Sequence, residues 1–156
     1  KNINLWLFGS GDCVSFIKEA AEKDNRIKYF GYKNRAEILE YERKVHLLLN
    51  LRNPAEEYTK YSFPSKTIEY MLSGTPLLTT KLPGIPDEYF DYCFTVDRFS
   101  KEAITEKLTE ILSMPEDTLA AFGEKAQEFI KENKNSYVQT EKILHFIEKC
   151  KKESVI

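Results

Sequence analysis

Two apolar runs bracket a short helical segment in the middle of the chain: VHLLLNLRN (45–53), then SKTIEYMLSG, then PLLTTK (76–81). A strand that is apolar at nearly every position has no wet face, so both of its faces must be covered. A strand covered on one face only would alternate apolar and polar residues. The same pattern runs through the first two thirds of the sequence. INLWLFGSGD (3–12), RIKYFGYKN (26–34) and YCFTV (92–96) read as further strands. CVSFIKEAAEKDN, with apolar Val14, Phe16, Ile17, Ala20 and Ala21, and RAEILEYERK read as helices between them. PAEEYTKYS (54–62) reads as a loop, and LPGIPDEYF (82–90) as a Pro/Gly loop entering a helical turn. From Ser100 onward the chain reads as three helices, SKEAITEKLTEILS, PEDTLAAFGEKAQEFIKEN and SYVQTEKILHFIEKCKK. Alternating strands and helices, with continuously apolar strands, predict an α/β fold: a parallel sheet flanked by helices, followed by a helical C-terminal segment.

A chain of 156 residues is long enough for one domain with a proper core. Its net charge of −2 leaves no electrostatic footprint for nucleic acid. The three cysteines, Cys13, Cys93 and Cys150, are far apart and none forms a Cys-x-x-Cys pair, which suggests neither a zinc site nor a disulfide framework. A reducing compartment, hence the cytoplasm, is expected. No apolar run is long enough to span a bilayer, so contact with the inner face of a membrane would come through parts of the protein outside these residues.

GSGDCV (9–14) invites comparison with a dinucleotide fingerprint. That motif needs a third glycine where Val14 stands, and an acidic residue closing the next strand, where IKYFGY has aromatics and glycine. A tight strand-to-helix turn explains it better, and such a turn can still border a ligand cleft. His46, in an apolar strand, and His145, on an amphipathic helix, have no His, Cys or Asp at metal or triad spacing and read as structural. No metal is implied.

SFPSKTIEYMLSGTPLLTT (62–80) is more informative. Pro64 suits a first helical turn, Ser62 or Ser65 could cap it, Gly74 suits the C-cap and Pro76 stops it. Ile68, Met71 and Leu72 form the stripe that packs on the sheet. Glu69 lies beside that stripe, where a carboxylate could accept both hydroxyls of a ribose. The N–H groups around Ser65 to Thr67 suit a phosphate, with Lys66 adding a charge. Spacing alone leaves a second reading open, a surface contact of Lys66 with Glu69 or Tyr70, worth a few tenths of a kcal/mol.

FPSKTIEYMLSGTPLLTTKLPGIPDEY after VHLLLNL resembles the C-terminal donor-binding domain of family-four retaining glycosyltransferases. LWLFGSG and IKYFGY occupy the places of that family's opening segments, and the resemblance runs from about Asn4 to Ile147. It implies a Rossmann-like domain, the C-terminal half of a GT-B fold. It further implies that Glu69 holds the ribose of a UDP- or GDP-sugar, and that Ser65, Lys66 and Thr67 lie near the diphosphate. Gly31 and Tyr32 would lie near the base, Gly9, Ser10 and Gly11 would line the cleft, and Gly84 and Ile85, in the loop Pro83 to Pro86, would face the donor sugar or the acceptor. The family often carries a second Glu where this chain has Tyr61, which leaves its catalytic residue unassigned. Its Phe-Gly pair is here Phe63-Pro64, as in a Phe-Pro-Ser-Lys branch.

Residues 1–156 are thus expected to form a single nucleotide-sugar-binding domain. It is expected to be a fragment lacking its first strand, with that strand's diphosphate-binding Arg/Lys pair, and the N-terminal acceptor-binding domain. The whole enzyme would transfer a hexose-type sugar to an acceptor hydroxyl in polysaccharide, capsule or surface-glycan synthesis, without a cofactor and with retention. The fragment alone would be inactive or nearly so. A nucleotide-sugar 2-epimerase of the same architecture and a non-catalytic Rossmann-like module are the alternatives. Tyr137, Ile143, Leu144 and Ile147 are expected to leave apolar area exposed on the last helix, with self-association of the fragment as a consequence.

Overall fold

The computed structural model describes residues 3–153. Its strands are β1 (Leu5–Leu7), β2 (Ile27–Tyr29), β3 (Leu48–Asn50), β4 (Leu77–Thr80) and β5 (Phe94–Val96). Its α-helices are α1 (Val14–Lys23), α2 (Arg35–Glu42), α3 (Ser65–Ser73), α4 (Lys101–Ser113), α5 (Glu116–Asn133) and α6 (Ser136–Glu153). Every expected strand and helix is present, and all the pairings are parallel. The strands are shorter than the apolar runs that announced them. They pair as two ladders among the described residues, β1–β2 and β3–β4–β5. The chain divides into two compact units, one up to Tyr41 and one from Glu42 on.

In the first unit Leu5, Trp6 and Leu7 pair with Ile27, Lys28 and Tyr29. An aromatic cluster packs within it: the Phe8 and Phe30 rings stack at 5.0 Å, and Tyr41 of α2 lies 4.8 Å from Phe8 and 5.8 Å from Trp6. Phe16, expected with the apolar face of α1, is exposed.

In the second unit, successive leucines of β4 serve opposite faces of the sheet. Leu77 joins a core with Leu48, Met71, Ile85, Phe129 and Ile130. Leu78 joins another with Val96, Ile111 and Leu119. This is the physical content of a continuously apolar strand: α3 and the later turns of α5 supply one cover, α4 and the first turn of α5 the other. Met71, Leu77 and Leu78 are essentially inaccessible to solvent, and truncating any of them to alanine would cost about 2–5 kcal/mol. The two threonines that end β4 are equally buried. The Thr79 hydroxyl donates to the Asn50 carbonyl at 3.0 Å, and Thr80 Oγ1 accepts from the Arg52 N–H at 3.1 Å. Both hydroxyls therefore continue the β3–β4 attachment at its carboxyl end, and the apolar-to-threonine change in LLTT costs no unsatisfied group.

Three local expectations are corrected. The segment 54–62 is not a plain loop: Glu57–Lys60 form a 3-10 helix, held by the buried Thr59 hydroxyl donating to the Glu56 carbonyl at 2.6 Å. His46 lies in the turn before β3 and is exposed, 4.0 Å from Glu116. Neither Ser62 nor Ser65 caps α3. Pro64 occupies the N-cap with no side-chain cap bond, while Ser62 Oγ is buried without a hydrogen-bond partner among the described residues. At the other end Gly74 adopts the left-handed conformation (φ 81°) expected of a C-cap glycine.

Candidate functional site

The carboxyl end of β3 and the start of α3 meet in the second unit. Asn50, the polar residue ending an apolar strand, donates from Nδ2 to Thr67 Oγ1 at 3.3 Å. Thr67 is fully buried, and its N–H is taken by the Pro64 carbonyl at 2.9 Å. Thr67 therefore anchors α3 on β3 and does not present a phosphate donor. Ser65 and Lys66 differ. Both are exposed, and among the described residues their N–H groups have no protein acceptor. Two donors at the positive end of a helix are left for an anion.

One turn further on, Lys66 pairs with Glu69. The same ammonium lies 3.8 Å from Oε1 of Glu42 and 5.6 Å from the centre of the Tyr70 ring. The surface contact that spacing left open is thus present, with a third member that the sequence did not reveal. The Glu42 side chain is only 5% exposed, against 21% for Glu69. Partial burial pulls the Lys66 pKa down, but the Glu69 hydrogen bond and the charges of Glu69, Tyr70 and Glu42 outweigh it, and the net shift is upward. Burial also raises the Tyr70 pKa, with Lys66 opposing and the two carboxylates assisting.

The loop after β4 touches the segment that leads into α3. A Cβ on Gly84 would stand 2.4 Å from the Ser62 carbonyl oxygen, so only glycine permits this approach. Ile85 is buried in the core with its N–H donated to the Leu82 carbonyl at 3.0 Å. Its side chain faces inward and holds the loop down. The 3-10 helix that follows, Asp87–Tyr92, is tied to α5 through Lys134. That lysine is 7% exposed, pairs with Glu88, and lies 4.8 Å from the Tyr89 ring and 5.2 Å from the Phe129 ring. The hydrogen bond and charge of Lys134 hold the Glu88 carboxyl below its usual range. Tyr61, in the position of the second family Glu, is 83% exposed.

In the first unit the Gly9 N–H donates to the Gly31 carbonyl at 2.9 Å. The Tyr29 hydroxyl donates to the Gly9 carbonyl at 2.6 Å. Gly9, Gly11 and Gly31 all have positive φ and open space where a Cβ would point. Backbone conformation, not packing, requires glycine there. Ser10 and Tyr32 are exposed on these turns.

Residues 1–135 match the family model for glycosyl transferases group 1. The chain belongs to that family. Solved structures of low identity share its fold. WaaG, a glycosyltransferase involved in lipopolysaccharide biosynthesis, aligns with TM-score 0.62 and 21% identity over 83% of this chain and 34% of its own. Anabaena HepE (Alr3699), solved in complex with UDP and glucose, aligns with TM-score 0.68 and 15% identity over 94% and 40%. TarM aligns with TM-score 0.68 and 22% identity over 91% and 28%. This chain thus spans 28–40% of the length of these proteins. No curated protein matches it significantly.

The candidate site and its supports include residues that the sequence did not announce. Glu42 was hidden because it ends a helix of ordinary charged composition. Lys134 was hidden among the many lysines of the C-terminal helices. Asn50 left a trace, a single polar residue closing HLLLN. Neither histidine lies on α3 or on the loop after β4, and both are exposed, so nothing here favours the 2-epimerase.

Proposed function

We propose that the full protein is a retaining glycosyltransferase of the family-four type, in its Phe-Pro-Ser-Lys branch. It would move a hexose-type sugar from a UDP- or GDP-sugar to an acceptor hydroxyl in polysaccharide, capsule or other surface-glycan synthesis. The carrying observation is the start of α3, where the unengaged N–H groups of Ser65 and Lys66 precede the Glu69 carboxylate by one turn. A nucleoside diphosphate needs both: donors for its phosphates and an acceptor for its ribose diol. UDP and glucose bound in HepE support a nucleotide-sugar donor. In this reading Gly9, Ser10 and Gly11 line the cleft, and Gly31 and Tyr32 lie near the base. The Gly84–Ile85 loop faces the sugar or acceptor, with backbone as the contacting part of Ile85. The acceptor is held by an N-terminal domain of the same protein, and the enzyme works on the cytoplasmic side, at the inner face of a membrane.

The test is donor titration and transfer assays on the full-length protein with UDP- and GDP-sugars. Losing two charge-assisted hydrogen bonds in Glu69→Ala should lower kcat/KM for the donor by about 10- to 100-fold. Wild-type transfer by Glu69→Ala would overturn the assignment.

A further inference from the structure

The 3-10 helix Glu57–Lys60 has Glu56 as its N-cap and Tyr61 as its C-cap. In such a helix side chains three positions apart eclipse one another. EEYTKY therefore sorts into three rows: Glu56 with Thr59, Glu57 with Lys60, and Tyr58 with Tyr61. Thr59 is turned inward and fully buried, with its hydroxyl bound to the Glu56 carbonyl. The tyrosine row, a third of a turn round, is left outside. Tyr58 is 56% exposed and Tyr61 83%, and the Tyr61 N–H donates to the Tyr58 carbonyl at 3.3 Å, closing the turn that aligns them. Among the described residues neither ring has an aromatic or cationic partner, and neither hydroxyl has a hydrogen bond.

We propose that Tyr58 and Tyr61 bind the glycan acceptor, each ring stacking on the C–H face of one sugar. The proposal rests on the reading of the protein as a transferase to a glycan hydroxyl, and not on the role of Glu69.

Three observations carry it. A pyranose has an apolar face of C–H bonds rimmed by hydroxyls, and the negative face of an aromatic ring attracts such hydrogens. One turn of a 3-10 helix rises about 6 Å, close to the repeat of one sugar along a glycan. Two rings in line thus suit two successive sugars of a chain, whereas a sugar donor brings one. Glu57 and Lys60, exposed on the neighbouring row, supply an acceptor and a donor for hydroxyls at the rim, and their opposite charges favour no strongly charged ligand. The row is also placed and held for this task. Thr59 anchors it from behind, and a tyrosine has only two side-chain torsions to fix on binding. Ser62 follows Tyr61 directly, and its carbonyl is the atom that Gly84 approaches, so the row stands beside the loop after β4, on the chain's approach to α3.

The experiment measures, by ligand-observed NMR, the affinity of the full-length protein for glucose, galactose and mannose, and for neutral di- and tetrasaccharides of each. UDP, GDP, UDP-glucose and GDP-mannose are titrated alongside. The wild-type protein should bind at least one saccharide series, more tightly as a disaccharide than as a single sugar. Tyr58→Ala and Tyr61→Ala should each weaken the disaccharide by about three- to tenfold and abolish the gain from the second sugar. Tyr58→Phe and Tyr61→Phe keep the ring and should stay within about twofold of wild type. Both rings are exposed, so an unchanged melting temperature should accompany these losses. Binding of no neutral saccharide, alanine variants that bind as well as wild type, or phenylalanine variants that lose as much as alanine would each overturn the proposal. A loss confined to UDP-glucose or GDP-mannose would assign the rings to the transferred sugar and overturn it too. Failure of UDP and GDP to bind the wild-type protein would remove the donor-site reading, and the saccharide titrations would still decide this one.

Discussion

Gly123 of α5 lies against the main-chain carbonyl of Gly74: a Cβ on Gly123 would stand 2.1 Å from that oxygen and 3.0 Å from Pro76 Cδ. Helix α5 thus rests directly on the turn that ends α3 and opens β4. The Gln127 side chain, one turn further along, donates to the Leu72 carbonyl at 2.7 Å and secures the same contact.

Gly123→Ala should therefore destabilise the fold although alanine is the better helix former. Propensity favours alanine by about 1 kcal/mol, whereas forcing a methyl group into a closed backbone contact costs about 1–3 kcal/mol. With rigid backbone on the far side, the upper end applies, for a net loss of about 2 kcal/mol. Urea unfolding should show a lower midpoint at unchanged slope, and a variant as stable as wild type would contradict the close approach.

Thr79→Val tests the carboxyl end of β4. The shapes are nearly equal, so the main loss is the hydroxyl that donates to the Asn50 carbonyl. A loss of about 1 kcal/mol is expected, together with faster hydrogen exchange in β3. A neutral outcome would mean that the hydroxyl adds nothing to the ladder.

Gly84→Ala should push the loop after β4 away from Ser62, since the added methyl group meets backbone at 2.4 Å. In the full-length protein we expect kcat/KM for the sugar donor to fall by about tenfold or more, while affinity for the bare nucleoside diphosphate changes by less than about threefold. Equal losses in the two would remove the loop from the sugar end of the site.

Alkaline pH should weaken the second unit before acid does anything comparable to these groups. Burial pushes the Cys93 thiol up to about 12 from an ordinary value of about 9, with Lys81 opposing and Asp91 assisting. The folded protein keeps a proton that the unfolded chain releases, so this contribution is complete below about pH 9 and is lost as pH rises toward 12. Tyr70 and Tyr89, raised chiefly by burial, and Lys66, raised by its anionic partners, shift stability in the same direction at higher pH. Melting temperatures measured from pH 8 to 11 should fall, and fall less in Cys93→Ala. Thiol reagents at neutral pH should label the exposed Cys13 and Cys150 quickly and the buried Cys93 only on unfolding. Rapid labelling of Cys93 would contradict its burial.

Much of this was legible in the sequence. The order of strands and helices follows from the alternation of apolar runs and helical stripes. The end of α3 follows from Gly74 and Pro76, because a left-handed residue followed by proline stops a helix whatever surrounds it. Glu69 and the exposed N–H groups of Ser65 and Lys66 were placed by the same short-range spacing. The start of α3 was less legible: serines flank Pro64 on both sides, and only the folded backbone shows that neither caps it.

The sequence by itself determined the elements, their parallel pairing and the helix that carries Glu69, since periodicity and turn chemistry act over a few residues. Tertiary structure alone decided which of those residues stay exposed and which turn inward. It turned Thr67 inward onto Asn50 and buried Ile85. It closed Gly123 onto Gly74 and brought Glu42 beside Lys66 by tying it to Thr75, 33 positions away. Contacts of that kind arise when parallel crossovers return distant segments to one place, and no local pattern encodes where they meet.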